Sequence, residues 1–428
     1  MPVSTFRKAI LGPITAVIIS IGLVTGVAVA APALVSQPLK NENGWRPAWG
    51  IDRIDQREAA LNDTYNYTYT GAGVTVYVFD SGINAAHEEF EGRVDPGYSV
   101  VVDGRGTDDC SGHGTHSASL VGGKTYGVAK QVRLIPVRVL NCANSNSSSA
   151  SLYPAIDWIV EHHQAGVPAI VNLSVGMPKS IAFNDATRKL IADGLIVVGA
   201  AGNQGRDACL YSPASELSVI SVGGTQPGEL RGTQSNFGSC VDIFAPGWDL
   251  VAGWFGGTNV YRSSSGTSNS APIVSGIVAL MLQENPSLTQ AQVEERLKGT
   301  ATSGALFNIG ANSPNLLAFS PYATGESSPV TTVVTTTVAP STTVAPTTTL
   351  APTTTVAPTT TVAPTTTVAP TTTVAPTTTV APTTTTQPAY LKCTRATART
   401  SMGGVPYVCV NTGNQLMWIP QRYSPGRP

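Results

Sequence analysis

Three short stretches of the sequence carry residue types that together can perform nucleophilic catalysis. Ser268 follows the turn Gly266-Thr267 and precedes an apolar run of helical periodicity, so it should lie at a helix N-terminus. Asp80 ends the β-branched and aromatic run 74–79, and His113 lies between two glycines. A serine nucleophile needs a base within hydrogen-bond reach and a carboxylate that orients the base. A lone serine at a helix start is most often an N-cap, so the prediction depends on all three stretches and their order.

The motifs Asp80-Ser-Gly, His113-Gly-Thr-His and Gly-Thr-Ser268 resemble, in order and spacing, the signatures of subtilisin-like serine proteases. The resemblance covers residues 45–322 and is strongest to the proteinase K-like branch and its aqualysin-type members. It implies that Ser268 attacks a peptide carbonyl, that His113 takes the proton and that Asp80 fixes the imidazole tautomer. The implied protein is a secreted serine endopeptidase that works through an acyl-enzyme. The alternative is a non-catalytic surface-binding protein that keeps the fold.

The same resemblance assigns the residues around the reacting carbonyl. Asn203, at the end of an Ala-Ala-Gly-Asn segment, is expected to donate to the oxyanion beside the Ser268 backbone N–H. The residues expected to line the primary substrate pocket are Ser174, Val175, Gly176, Ala200, Ala201 and Gly202. Because these side chains are small or apolar and uncharged, we expect a broad preference for apolar residues. Asn269-Ser270 replaces the Met-Ala usual in relatives, which predicts a more polar pocket floor.

The six cysteines suit disulfides in an oxidising compartment, since no Cys-x-x-Cys pair supports a zinc or redox site. By resemblance to aqualysin-type members, two pairs are expected in the catalytic region. A third disulfide would cross-link a hairpin in the tail, because the tail is too short to form a hydrophobic core by itself. The expected pairs are Cys110–Cys142, Cys209–Cys240 and Cys393–Cys409.

The resemblance also implies structural Ca²⁺ and no catalytic cofactor. Two stretches of the sequence offer carbonyl and carboxylate oxygens, which are the ligands that Ca²⁺ prefers. The ligands expected at the first site, two carbonyls and one carboxylate, are Leu217, Val219 and Asp242. The ligands expected at the second site, with Asn62 nearby, are Asp52, Asp55 and Gln56. A solvated turn stays open as the alternative for the second group.

Short apolar runs alternate with helical patterns throughout the middle of the chain. Strands buried on both faces that alternate with helices predict an α/β fold with a doubly wound, mostly parallel sheet. In such folds the site lies at the carboxyl ends of the strands. The predicted strands are 74–79, 132–140, 169–173, 195–200, 219–222 and 241–244. The predicted helices are 113–121, 151–165, 180–193, 271–285 and 289–298.

The 428 residues divide by composition into five segments. An apolar run behind Arg7 and Lys8 predicts a signal peptide over 1–30, with an uncleaved membrane anchor as the alternative. A short segment, 31–44, then precedes the peptidase domain, 45–322. Hexads of Thr-Thr-Thr-Val-Ala-Pro within 323–389 predict a disordered linker, since they contain neither charges nor aromatic residues. Residues 390–428 should form a small Cys-pair module.

Net charge and segment lengths limit the partners and the folding route. A formal net charge of −1 argues against nucleic acid as a partner. We expect protein or peptide substrates, an extracellular monomer, and a tail that either tethers the enzyme to the cell wall or substrate or is inert. Segment 31–44 is far shorter than the inhibitory prodomain of relatives. We therefore expect folding without a covalent prodomain, unless one is encoded elsewhere.

Overall fold

The computed structural model describes residues 32–39, 48–144 and 152–323, and the backbone of the strands at 399–402, 405–411 and 416–420. The predicted signal peptide, residues 324–389 of the predicted linker, Cys393 and the side chain of Cys409 therefore lie outside the described residues. The chain divides into two units, Met1–Glu326 and Ser327–Pro428. Each is considered by itself.

The first unit alternates strands and helices. Its strands are β1 (Val35–Pro38), β2 (Thr64–Tyr67), β3 (Thr75–Asp80), β4 (Tyr98–Ser99), β5 (Arg133–Arg138), β6 (Ala169–Leu173), β7 (Met177–Pro178), β8 (Ile196–Ala200), β9 (Tyr211–Ser212), β10 (Ile220–Gln226), β11 (Leu230–Arg231), β12 (Ile243–Pro246), β13 (Leu250–Gly253), β14 (Tyr261–Ser264), β15 (Thr302–Ser303) and β16 (Leu316–Leu317). Its helices are α1 (Trp49–Ile54), α2 (His113–Gly122), α3 (Tyr153–His162), α4 (Ile181–Ala192), α5 (Thr267–Glu284) and α6 (Gln290–Thr300). None of the described helices is long and apolar enough to span a membrane.

A mostly parallel sheet forms the centre of this unit. Its strand order within the described residues is β15-β16-β12-β10-β8-β6-β3-β5-β4, with β11 paired to β10. Only the β15–β16 and β10–β11 pairs are antiparallel. The carboxyl ends of β3, β6 and β8 lie at one edge, because these neighbours run parallel in register. The predicted fold is confirmed, and the edge where a site should form carries Asp80.

Side chains of the central strands alternate between two cores. In β3, Val76 and Val78 join the larger core with α2 and α5, whereas Tyr77 and Phe79 join the smaller core with α3 and α4. A strand buried on both faces has this apolar pattern throughout. Helices therefore cover both faces of the sheet, as the sequence predicts.

Helix α5 is the buried axis of the larger core. Every residue from Ala271 to Leu282 is buried, and the helix packs against α2 and against β6, β8, β10 and β12. Such a helix is apolar on all sides because no side faces water. Contacts with the sheet therefore fix the position of the first turn of α5.

Four of the five predicted helix starts differ from the structure, by one residue in α4 and α6, two in α3 and four in α5. Helix α5 begins at Thr267 rather than at residue 271, so Pro272 lies inside it and Ser268 is its second residue. Helix α6 begins after Thr289, whose side chain and that of Gln292 form a capping box. Tertiary contacts, which the sequence pattern does not contain, extend α5 toward Ser268.

The second unit contains a three-stranded antiparallel sheet. Its strands are β17 (Arg399–Met402), β18 (Val405–Asn411) and β19 (Leu416–Pro420), in the order β17-β18-β19. Cys409 pairs in register with Trp418. The small Cys-pair module predicted for residues 390–428 stays a prediction.

Candidate active site

Asp80 and His113 form a hydrogen-bonded pair at the carboxyl edge of the sheet. Asp80 is the last residue of β3 and is fully buried, and His113 is the first residue of α2. His113 Nδ1 lies 2.6 Å from Asp80 Oδ1. A carboxylate only accepts, so Nδ1–H donates and Nε2 is left as the basic nitrogen. Asp80 Oδ2 accepts from Ser117 Oγ at 3.0 Å, which holds the carboxylate from the other side.

The electrostatic surroundings of His113 favour its protonated form. Burial of the ring by itself would lower the pKa, but the charge and hydrogen bond of Asp80 and the charge of Asp109 outweigh it, so the pKa of His113 is raised. The side chain keeps an exposed fraction of 20%. A base that is more basic than usual and partly open to solvent suits general base catalysis.

Ser268 and Asn203 meet at the start of α5. Gly266, which caps the helix, has φ of 151°, and a Cβ built on it would lie 3.2 Å from both Ser268 Oγ and Asn203 Nδ2. Asn203 Oδ1 accepts from the Thr267 backbone N–H at 2.8 Å and from Thr267 Oγ1 at 3.0 Å. These two donors fix the orientation of the amide, whose Nδ2 lies beside Gly266, as Ser268 Oγ does.

A buried polar chain holds the carbonyl of Ser268. Pro272 has no N–H, so the carbonyl four residues before it, that of Ser268, lacks its usual helical donor. Ser174 Oγ donates to this carbonyl at 3.0 Å. Asn172 Nδ2 donates to Ser174 Oγ at 2.8 Å, and Ser275 Oγ donates to Asn172 Oδ1 at 3.0 Å. The chain joins the end of β6 to the first two turns of α5.

The predicted pocket residues lie in two segments that follow β6 and β8. Gly176 is exposed and Gly202 is half-buried, with φ of 99°. Four of the six are buried side chains: Ser174, Val175, Ala200 and Ala201. Ala201 is fully buried and joins a third core cluster. Any substrate contact in these segments would therefore involve mainly the two glycines and the backbone.

Asn269 lies beneath the nucleophile. It is 1% exposed and donates its Nδ2 to the Gly247 carbonyl at 3.1 Å. One of its two amide N–H groups is therefore used inside the protein, and the more polar pocket floor expected from the sequence stays a prediction.

The other histidine of the motif is structural. His116 is buried, and its Nε2 lies 3.0 Å from the Leu250 carbonyl, which can only accept. Burial lowers the pKa of His116 to about 4. It is therefore neutral near pH 7 and helps attach α2 to β13.

Sequence reasoning missed the polar residues that hold the catalytic groups. Ser117 binds Asp80, Thr267 orients Asn203, and Asp109 accepts hydrogen bonds from the first turn of α2. Thr267 and Asp109 lie inside the motifs and could have been noticed. The partners of Ser117 and Thr267 lie 37 and 64 residues away along the chain, and one sequence does not show such contacts.

Two predicted disulfides are confirmed. Cys110 is bonded to Cys142 and Cys209 to Cys240, with Cα–Cα distances of 4.9 and 5.2 Å. The first bond ties the loop before His113 to the chain after β5. Within the described residues, one group of three acidic, His or Cys side chains converges closely enough to hold a metal ion, and it consists of Asp103 and this disulfide. Bonded cysteines are not thiolate ligands, so this group does not suggest a metal site.

The first predicted calcium site surrounds Asp242. The half-buried carboxylate lies between two donors: Ser221 N at 2.8 Å from Oδ2 and Lys298 Nζ at 2.8 Å from Oδ1. Leu217 is exposed on the preceding turn, and Val219 is buried. A calcium ion here would have to share the carboxylate with the Lys298 ammonium, so the fit is incomplete.

The second predicted calcium site contains an unsatisfied buried oxygen. Asp52 and Asp55 are 1% and 4% exposed. Asp55 Oδ2 accepts from the backbone and side chain of Asn66, but Asp55 Oδ1 is buried with no hydrogen-bond partner. Burial and, to a smaller extent, the Asp52 charge raise the pKa of Asp55 to about 7. Gln56 Nε2 donates to the Glu58 carbonyl at 2.9 Å. A cation with oxygen ligands would satisfy the free Asp55 oxygen.

Comparison with known proteins agrees with this geometry. The Subtilase family profile matches residues 71–316. The chain is 46% identical over 274 residues to the extracellular serine proteinase of Thermus sp. (strain Rt41A), covering 64% of this chain and 66% of that one. It is 42% identical over 269 residues to the alkaline serine exoprotease A of Vibrio alginolyticus, covering 63% and 49%. The matched part thus spans slightly less than two thirds and about half of these relatives' lengths.

A solved structure is also similar to this chain. The crystal structure of a cold adapted subtilisin-like serine proteinase is 41% identical, with a TM-score of 0.61. The alignment covers 64% of this chain and 97% of that one.

Proposed function

The chain belongs to the subtilase family, and on this premise we propose that it is a secreted serine endopeptidase with the triad Asp80, His113 and Ser268. The observation that carries the proposal is the Asp80–His113 hydrogen bond of 2.6 Å at the edge of the sheet where α5 presents Ser268 beside Asn203. These are the parts that acyl transfer requires: a base, its orienting carboxylate, a nucleophile and an oxyanion donor.

In the proposed mechanism, Ser268 Oγ attacks the peptide carbonyl while His113 Nε2 takes its proton. Asp80 keeps the Nδ1 proton in place and stabilises the imidazolium. The oxyanion accepts from Asn203 Nδ2 and the Ser268 N–H. His113 then protonates the leaving amine, which gives the acyl-enzyme. Water attacks the ester by the same route in reverse, releasing the acid and restoring Ser268.

Labelling with a fluorophosphonate probe and casein hydrolysis test this proposal. The wild-type protein should react, and Ser268→Ala should lose labelling and about a millionfold in kcat. Ser265→Ala is the matched control, because Ser265 is exposed three residues earlier. A wild-type protein that is neither labelled nor active on casein would favour the non-catalytic binding protein.

The proposal extends to specificity. The predicted pocket residues 174–176 and 200–202 carry no charge, Gly176 is exposed and Gly202 is half-buried, which supports a wide pocket for apolar residues before the scissile bond. Hydrolysis of peptide anilides with Phe, Leu, Glu or Lys at that position tests it. Preference for either charged residue would contradict an apolar pocket.

We also propose that Ca²⁺ stabilises the fold, foremost at Asp52, Asp55 and Gln56. The unsatisfied Asp55 Oδ1 supports this site. EDTA should lower the Tm of the wild-type protein, and Asp55→Asn should remove most of this sensitivity. Asp242→Asn tests the first site, where Lys298 already neutralises the carboxylate. An EDTA-insensitive Tm would contradict both sites.

Extracellular localisation is supported by relatives that are named extracellular. Action as a monomer and attachment to the cell wall through residues 390–428 stay predictions. The side chains that would test the attachment lie outside the described residues.

A further inference from the structure

Asp109 is a buried carboxylate that the mechanism above leaves without a role. It is 9% exposed and lies just before α2. Its Oδ1 accepts from the backbone N–H groups of Ser111 and Gly112 and from Ser81 Oγ, each at 2.9 Å. Its Oδ2 accepts from the Thr115 backbone N–H at 2.9 Å and from Thr115 Oγ1 at 2.6 Å. Five donors converge on one side chain, which is more than a helix N-cap needs.

Ser81 connects this cluster to the triad. Its backbone N–H donates to Asp80 Oδ1 at 2.7 Å, and its Oγ accepts from the Gly114 backbone N–H at 2.9 Å while donating to Asp109. The end of β3 and the first turn of α2 are therefore joined by a continuous hydrogen-bonded path. His113 lies between the two ends of this path. A rotation of α2 that moved His113 away from Asp80 would break several of these bonds.

The charge of Asp109 also reaches the imidazole. Together with Asp80, it raises the pKa of His113. The neighbouring Asp108 is exposed to solvent, where water screens its charge. Two adjacent acids thus differ in burial, and only Asp109 is held against α2.

We propose that Asp109 is a positioning residue for the triad: it locks α2 against the end of β3 so that His113 meets Asp80, and its charge stabilises the imidazolium formed during turnover. The proposal rests on the proposed peptidase function. It gives Asp109 no contact with substrate.

Asp109→Asn tests the proposal, with Asp108→Asn as the matched control. Asn keeps the shape, but it loses the charge and cannot accept from Thr115 through its Nδ2. We expect kcat/KM on an apolar peptide anilide to fall about tenfold to a hundredfold, with KM little changed. The acid limb of the pH profile of kcat/KM should move to lower pH, because the imidazolium loses a stabilising charge. Asp108→Asn should match the wild-type protein in both respects.

A merely structural role would lower the rate without moving the acid limb, so an unmoved limb in a folded Asp109→Asn protein would overturn the electrostatic part. Titration of His113 by NMR in a Ser268→Ala background measures the effect of Asp109→Asn on the pKa of His113 without turnover.

Ser81→Ala tests the positioning part independently, including the case in which Asp109→Asn does not fold. It removes the hydroxyl between Asp109 and Gly114 but keeps both carboxylates. We expect kcat to fall about tenfold with the acid limb unmoved. A kcat within about twofold of wild type would overturn the positioning part. Failure of the proposed function itself is recognisable separately, because the wild-type protein would then not hydrolyse the anilide.

Discussion

At the scale of single residues, the Asp80–His113 hydrogen bond decides which nitrogen acts as the base. The carboxylate accepts the hydrogen bond of Nδ1–H and so leaves Nε2 as the basic nitrogen that faces the nucleophile in the proposed triad. Asp80 has no exposure to water, so its charge is little screened. The tautomer and the basicity of His113 therefore have the same cause.

The first prediction concerns pH. His113 must be neutral to accept a proton, and its pKa is raised, so kcat/KM should fall on acidification at a pH above the usual histidine value of about 6.5. Asp80→Asn should lower kcat by about 10⁴, because it favours the wrong tautomer. A pH–rate profile of both proteins checks this. An acid limb below pH 6 in the wild-type protein would contradict the raised basicity.

The residues of the proposed triad are recognisable in the sequence, but the residues that hold them are not. Asp80, His113 and Ser268 carry recognisable neighbours because a sharp turn or a helix start must follow each. Thr267 and Asp109 lie within the same motifs, but nothing local shows that Thr267 donates to Asn203 or that Asp109 accepts from Ser81. Their roles depend on hydrogen bonds across 64 and 28 residues of chain.

At the scale of elements, α5 connects the nucleophile to the sheet. Pro272 withholds a donor from the Ser268 carbonyl, and Ser174 at the end of β6 supplies one. Asn172 and Ser275 complete this connection in an otherwise apolar core. A buried polar chain of this kind fixes one arrangement of the helix, because any other would leave its members unsatisfied.

The second prediction follows from that chain. Ser174→Ala should leave the Ser268 carbonyl without a donor and lower kcat about tenfold, since small displacements of a nucleophile are costly. Ser180→Ala is the control, since Ser180 only caps α4; it should change stability and not kcat. Steady-state kinetics and thermal melts separate the two. Equal kcat values for Ser174→Ala and wild type would show that the carbonyl needs no donor.

Elements of the central sheet were predictable because their burial leaves a continuous apolar run. Strands β3, β6 and β8 match their predicted ranges within one residue. The hairpin of β13 and β14 and the short pair of β7 and β9 were missed. They are antiparallel pairs outside the central sheet, and strands of two to four residues are too short to show a clear period.

At the scale of the whole molecule, a buried amine links stability to pH. Lys130 is 9% exposed, and its Nζ donates to the Thr125 carbonyl at 3.2 Å and lies 5.3 Å from the centre of the Tyr65 ring. Burial lowers its pKa to about 7, although the Glu89 charge opposes this. An unfolded lysine has a pKa near 10.4.

The third prediction is that Lys130 makes the protein more stable in alkali. Between about pH 7 and about pH 10 the unfolded chain binds more protons than the folded one, so the free energy of unfolding should rise with pH. Lys130→Met should flatten this rise, and the exposed Lys124→Met should keep it. Denaturant unfolding at several pH values measures both. An equal slope in wild type and Lys130→Met would rule out this contribution.

The residue after the nucleophile also bears on chemical durability. Relatives usually carry methionine there, and oxidation turns a thioether into a bulkier, polar sulfoxide. Asn269 has no sulfur, and its amide is held by Gly247. We therefore predict that hydrogen peroxide leaves most of the activity intact, whereas Asn269→Met becomes sensitive. The measurement is the activity that the wild-type protein and Asn269→Met each retain after timed exposure to hydrogen peroxide. Equal losses would mean that another residue, for example Met177, is the one whose oxidation inactivates the protein. An enzyme of this kind would remain useful in bleach-containing formulations, where a methionine in that position would limit its lifetime.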